Sequence, residues 1–278
     1  MPIATGNRVA AVAEAPPPVD EIDPEWVKTT ARPFDPPLTE KGEEQARSVA
    51  EQLKKYDIQQ VYISPFYRCI QTARLCTEGL KIPPERWTVS VAVCEFLNPM
   101  ILVKKGGKLP AGHIQSWFWE RGNLKDSLSL KLPPHIASKV KVGQTEFKRY
   151  PENLLNSRVR YGRAFQDIAD EAQGNVLIVT HGDAVNSSVS RLRPWAIVHP
   201  VHHTGFTAAY RDEKEDGGWG PWHLESKSGE NGVWWYEQLR PAFSLYHGAK
   251  GVVSAACRLV PFRQHVHSEP VCEPIAKK

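Results

Sequence analysis

Apolar residues along the chain fall into two rhythms. Ala46, Val49, Ala50 and Leu53 sit at i, i+3, i+4 and i+7, one buried stripe of a helix over 40–55. Thr39 stands directly before it, where a hydroxyl can take an orphan helix N–H. Residues 58–63 form a short β-branched run, predicted as a buried strand that Ser64-Pro65 ends, with a second helix over 67–80. Residues 87–93 read as the next strand. A long helix is expected over 152–172, broken by Gly174-Asn175, and 176–180 is a strongly apolar strand running into His181-Gly182. Paired late strands are expected at 206–210, 222–224 and 233–236, with Gly217-Gly218 between the first two.

The alternation of strand and helix predicts an α/β fold, a three-layer sandwich with a mostly parallel central sheet and helices on both faces. Three stretches lack a sustained period. Residues 1–37 are Pro-rich and read as irregular. Residues 96–150, with Gly106-Gly107, Trp117-Phe118-Trp119 and Pro133-Pro134, read as an insertion packed over the site. Residues 241–278 read as a carboxyl-terminal extension, leaving 1–240 as the main domain.

Composition narrows the class. At 278 residues, with 41% hydrophobic and 24% charged, the chain can bury a core of ordinary size. A net charge of +4 gives no basic field that would argue for nucleic acid, and no apolar run has membrane-span length. The apolar stretch at 9–15 is too short for a secretory signal. Five cysteines without a CxxC pair suit reduced thiols in an intracellular protein, with cytoplasm and organelle both open. His199, His202 and His203 make an HxxHH spacing without carboxylate or thiolate partners, so no metal and no cofactor is expected. The Trp117–Trp119 cluster is read as packing.

In open α/β sheets, sites lie at the carboxyl ends of strands. Two such ends carry chemistry here: Ser64-Pro65-Phe66-Tyr67-Arg68-Cys69-Ile70-Gln71-Thr72-Ala73, and Val179-Thr180-His181-Gly182-Asp183, with Cys94-Glu95-Phe96-Leu97 between them. Together with Pro37-Leu38-Thr39-Glu40-Lys41-Gly42, in this order and spacing, they resemble the histidine phosphatase superfamily, also called phosphoglycerate mutase-like. The resemblance covers about residues 6–235. It implies a phosphate pocket of two arginines and two histidines, one histidine being the nucleophile, with a nearby carboxylic acid to protonate the leaving oxygen. Carried over by position, Arg68 is the second arginine, His181 the second histidine and Glu95 the acid.

The opening Arg-His-Gly motif does not carry over. Its best match, Ala4-Thr5-Gly6-Asn7-Arg8, puts Thr5 at the nucleophile position and leaves Arg8 as a pocket-edge cation, and the strand expected before the motif is missing. No histidine precedes His113. A threonine hydroxyl needs an adjacent base to attack, and one lost oxyanion donor alone costs roughly 10²–10³ in rate. The leading expectation is therefore a catalytically inactive member acting as a structural or accessory subunit of an intracellular assembly, with other protein subunits as partners. Two further readings stand beside it: an active phosphomonoesterase whose first strand and nucleophile lie outside this chain, and a module that binds a phosphorylated small molecule or phosphate without turnover.

Overall fold

The computed structural model describes residues 35–98, 124–145 and 151–237, Thr30, and the backbone of 6–14 together with the Val9 side chain. The expected carboxyl-terminal extension at 241–278 and the Trp117–Trp119 cluster lie outside the described residues.

In chain order the elements are β1 (Gly6–Glu14), α1 (Glu40–Leu53), β2 (Ile58–Ile63), α2 (Tyr67–Leu80), β3 (Trp87–Val89), α3 (Leu124–Lys131), α4 (Pro134–Ala137), β4 (Lys141–Val142), α5 (Leu154–Glu171), β5 (Asn175–His181), α6 (Gly182–Leu192), β6 (Ala196–Val201), β7 (Phe206–Asp212), β8 (His223–Leu224) and β9 (Val233–Glu237). The main sheet has the order β4-β3-β2-β5-β1-β7-β8, and β6 pairs with β9 in a separate ribbon. Strands β4, β3, β2, β5 and β1 run parallel, while β7 and β8 are antiparallel. This is the expected α/β sandwich.

β5 shows why the sheet has two cores. Its buried residues alternate between them: Leu177 and Val179 join α1, α2 and β2, whereas Val176 and Ile178 join α5 and α6. A strand buried on both faces must be apolar at every position, which is what the unbroken run after Asn175 encodes. α1 buries Ala46, Val49, Ala50 and Leu53, the stripe expected from their spacing. Thr39 Oγ1 accepts the Gly42 N–H at 3.1 Å, the expected N-cap. α1 and α2 approach closely because Gly79 has no Cβ; one built there would stand 2.9 Å from Ala50 Cβ.

The structure corrects the sequence reading in three places. The first strand is present: Gly6–Glu14 lies between β5 and β7, parallel to the one and antiparallel to the other, in a region read as irregular. Its residues, with three alanines and no β-branched run beyond single valines, gave little strand signal; the open slot between β5 and β7 selects the strand. Residues 87–93 are not one strand, since β3 stops at Val89 and Val91–Val93 is a 3-10 turn capped by Ser90 Oγ, which accepts the Ala92 N–H at 3.2 Å. Within the expected insertion, α3 and α4 pack on the first core, and β4 extends the sheet beyond β3.

Candidate functional site

The site forms where β2, β5 and the Glu95 segment end together. Ser64-Pro65 stops β2, because proline has no N–H to give the ladder. The chain turns at once into α2, whose first residues include Arg68. The α2 N-cap residue, Phe66, has no side chain that caps. The cap comes from a distance: Asp35 Oδ1 accepts the Tyr67 N–H. Lys131 Nζ neutralises Asp35 at 2.7 Å and donates to the Pro65 carbonyl at 3.0 Å. Gln71 ties the preceding Leu38 N–H to α2 at 2.7 Å. The first two sequence motifs are thus welded to each other and to α3.

Arg68, Glu95 and His181, the three residues expected to share a pocket, are together. Arg68 Nη2 donates to Glu95 Oε2 at 3.0 Å, and His181 Nδ1 stands 3.1 Å from the same oxygen. Ser64 Oγ is 2.7 Å from His181 Nε2. A carboxylate only accepts, so the network assigns the proton on Nδ1 to Glu95 and leaves Nε2 to accept from the Ser64 hydroxyl. Both ring nitrogens are then used. Phe66 packs edge-on to the imidazole with centroids 4.9 Å apart, and the Arg68 guanidinium lies 4.7 Å from the Phe66 ring centre. His181 is fully buried, and Arg68 and Glu95 are only 3% and 6% exposed.

Burial works against the charge on Glu95, but His181, Arg68 and the Phe96 N–H outweigh it and bring the carboxyl down to about 2. Burial lowers the pKa of His181, more than neighbouring Glu95 raises it, so the imidazole is neutral at pH 7. Asp183, in the first turn of α6, is raised by its own burial and then by the negative charge of Glu95.

Two residues that the sequence reading missed hold this site. Arg160 on α5 has five N–H groups, and all five are used. Nε and Nη2 donate to the two Glu152 oxygens, each at 2.8 Å. Nη1 donates to the carbonyls of Ala92 and Cys94 at 3.0 and 3.1 Å, and Nη2 to that of Glu95 at 3.1 Å. Glu152 also accepts the Leu97 N–H at 3.1 Å. The segment that carries Glu95 is therefore pinned through its backbone. A helix position four before an alanine gives no sign of such a role; only the irregular conformation of 91–97, with carbonyls that no strand partner takes, would have signalled it. Behind this segment, a groove of about 690 Å³ between the sheet edge and α5 is lined by Ser90, Ala92, Leu97, Glu152 and Arg160, and by none of Arg68, Glu95 and His181.

The register of β1 bears on the remaining expected residues. Glu14, the last residue of β1, is the partner of His181 across the ladder. Thr5 precedes β1 and lies outside the described residues. The Arg8 backbone pairs with Tyr210, about 20 Å back along β1 from Glu14 at ~3.3 Å per residue. Near the ribbon, His202 packs on Trp234 with ring centroids 4.5 Å apart, and among the described residues no cluster of three metal-ligating side chains occurs. Cys69, Cys76 and Cys94 are buried; burial pushes the Cys76 thiol up to about 12. No helix among the described residues is long and apolar enough to cross a membrane.

Comparison with known proteins agrees with this architecture. Residues 24–88 match the family model of the histidine phosphatase superfamily (branch 1), a span that holds the Pro37–Gly42 and Ser64–Ala73 motifs but neither β1 nor His181. None of the curated proteins matches the sequence. Among solved structures, the ecdysone phosphate phosphatase from Bombix mori in complex with tungstate is similar at 18% identity and a TM-score of 0.50, covering 80% of this chain and 92% of that one. The phosphoglycerate mutase from Bacillus anthracis str. Sterne is similar at 19% identity and a TM-score of 0.46, over 80% and 92%. A mycobacterial glucosyl-3-phosphoglycerate phosphatase follows at 14% and 0.46, over 78% and 96%. At 18% identity, the likeness to the ecdysone phosphate phosphatase is one of fold.

Proposed function

We propose that this chain, built on the histidine phosphatase/phosphoglycerate mutase fold, is a catalytically inactive member of that structural group and serves as an accessory subunit of an intracellular assembly. One observation carries the reading: the backbone position facing His181 at the end of β1 is occupied by Glu14. Phosphoryl transfer in this fold needs an imidazole in line with the phosphorus and cations around its oxygens. A glutamate at that position supplies neither an imidazole nor a cation. No histidine anywhere before His113 can substitute.

The state of the remaining half-site supports the same reading. Arg68 is neutralised by Glu95, both nitrogens of His181 are engaged within the protein, and all three side chains are buried. Glu95, ionised down to about pH 2, has no proton to give a leaving group at neutral pH. The reading in which β1 is missing loses its main support, because Gly6–Glu14 fills that slot in the sheet. For an accessory role, the exposed apolar side chains Leu155 and Val159 on α5 and Trp195 and Tyr236 at the β6–β9 ribbon offer contact area.

The test is hydrolysis of p-nitrophenyl phosphate by the purified chain, with acid-labile phosphoenzyme measured in parallel. Background turnover and no phosphoenzyme are expected. Hydrolysis that His181→Ala abolishes overturns the inactive reading. Native purification from its source should give a species heavier than the chain; a monomer with no stable partner rejects the assembly role.

A further inference from the structure

A second cavity lies between α5, α6 and the sheet, and none of Arg68, Glu95 and His181 lines it. Its floor is set by register. Val9 pairs with Ala209 and Ala209 with Leu224, so three side chains on β1, β7 and β8 face the same way in one row. The middle one is a single methyl, which leaves a dip between two larger neighbours. Phe165 on α5 and Leu192 on α6 form the walls with Trp222, whose indole N–H donates to the Gln166 side-chain oxygen at 3.3 Å. The space is about 60 Å³, room for roughly five water-sized groups, and it opens to solvent. The polar groups inside it already have partners. The Ser188 and Thr207 hydroxyls bond to each other at 2.9 Å, and Ser188 also donates to the Val185 carbonyl at 2.7 Å. The Gln166 amide N–H donates to Asp170 at 2.9 Å.

Arg191, at the rim, is different. It is exposed in the last turn of α6, and among the described residues its guanidinium has no hydrogen bond or ion pair. It lies against α5 at Gly162, where an added Cβ would stand 3.4 Å from Nη1. A glycine inside a helix weakens it; here it gives the guanidinium room at the mouth of the cavity. We infer that this cavity binds a small amphipathic monocarboxylate, with its apolar body on Ala209 and Leu224 and its carboxylate on Arg191. Charge complementarity selects the head, because a guanidinium fork matches a carboxylate. One cation, with the Asp170 carboxylate one turn beyond Gln166, suits a monoanion and not a phosphate dianion. Size selects the body, since a chain of about five or six carbons fills the space. The inference goes beyond the inactive reading and stands whether or not the strand-end cluster turns over a substrate.

The experiment follows the Trp222 indole N–H by NMR while hexanoate is titrated into the full chain, with Trp222→Phe to assign the signal. Hexanoate should give a saturable shift and bind at least about tenfold more tightly than acetate, which has the head without the body, and hexan-1-amine, which carries the opposite charge on the same body. Arg191→Gln should weaken hexanoate about tenfold. Ala209→Leu, which fills the floor, should abolish binding. Arg191 is exposed, so its variant tests the site even if Ala209→Leu does not fold. Equal affinity for hexanoate, hexan-1-ol and hexan-1-amine would show an apolar dock with no preference for a carboxylate, and it overturns the proposal. Hexanoate binding that Arg191→Gln leaves unchanged, or no saturable shift at all, refutes it as well.

Discussion

Arg160→Lys is a mild change in charge and a severe one in geometry. The guanidinium serves five acceptors: two oxygens of Glu152 and the carbonyls of Ala92, Cys94 and Glu95. A lysine ammonium has three N–H groups and cannot fork, so at least two acceptors lose their donor. A buried acceptor left unpaired costs about 1–3 kcal/mol. The site is not sealed, since the Arg160 side chain keeps 17% exposure and water can reach part of it. We therefore take the lower half of that range for each of two acceptors and expect a loss of about 2–4 kcal/mol. Arg160→Met also strands the Glu152 carboxylate, which is 6% exposed, and should cost about 3–5 kcal/mol. Against the ~5–15 kcal/mol that holds a domain folded, both are large. The assay is urea unfolding followed by tryptophan fluorescence, with Arg74→Lys as the control. Arg74 also reaches a carboxylate at 2.8 Å, on Glu78, but this is an exposed i,i+4 pair worth about 0.3–0.5 kcal/mol. If Arg160→Lys and Arg74→Lys shift the midpoint equally, the hub role of Arg160 is wrong.

Two further predictions concern pH and the latch on α3. His181 titrates lower in the folded chain than its ordinary 6.5, so between those values the unfolded chain holds more protons. Stability is then complete above about pH 6.5 and falls as pH drops below it; Glu95, ordinarily 4.5 and here about 2, adds a second loss as pH falls from about 4.5 towards 2. His181→Gln should flatten the upper step in a series of unfolding curves, and an unchanged profile would place the step on another group. Lys131→Met leaves Asp35, only 2% exposed at its side chain, without its cation and should cost about 3–5 kcal/mol in urea unfolding. A midpoint shift under about 1 kcal/mol would show that Lys131 is not what holds Asp35 in place.

What the sequence determined by itself is the part written in local periods and short motifs. The stripe Ala46–Leu53, the Thr39 cap and the apolar run into His181 announce their elements because each signal lies within a few residues of its effect. Arg68, Glu95 and His181 were legible as a set because each follows a strand or turn whose end must face the same edge of a parallel sheet. What only the tertiary structure decided is everything that depends on a partner far along the chain. β1 has an alanine-rich sequence that becomes a strand by filling the slot between β5 and β7, and its register, not its composition, put Glu14 opposite His181 and moved Arg8 away. The same holds for Arg160, whose three carbonyl acceptors lie 65–68 residues away, and for Asp35, which caps a helix across a separation of 32 residues. Hydrogen-bond satisfaction of buried backbone is a property of the packed chain; no window of sequence contains it.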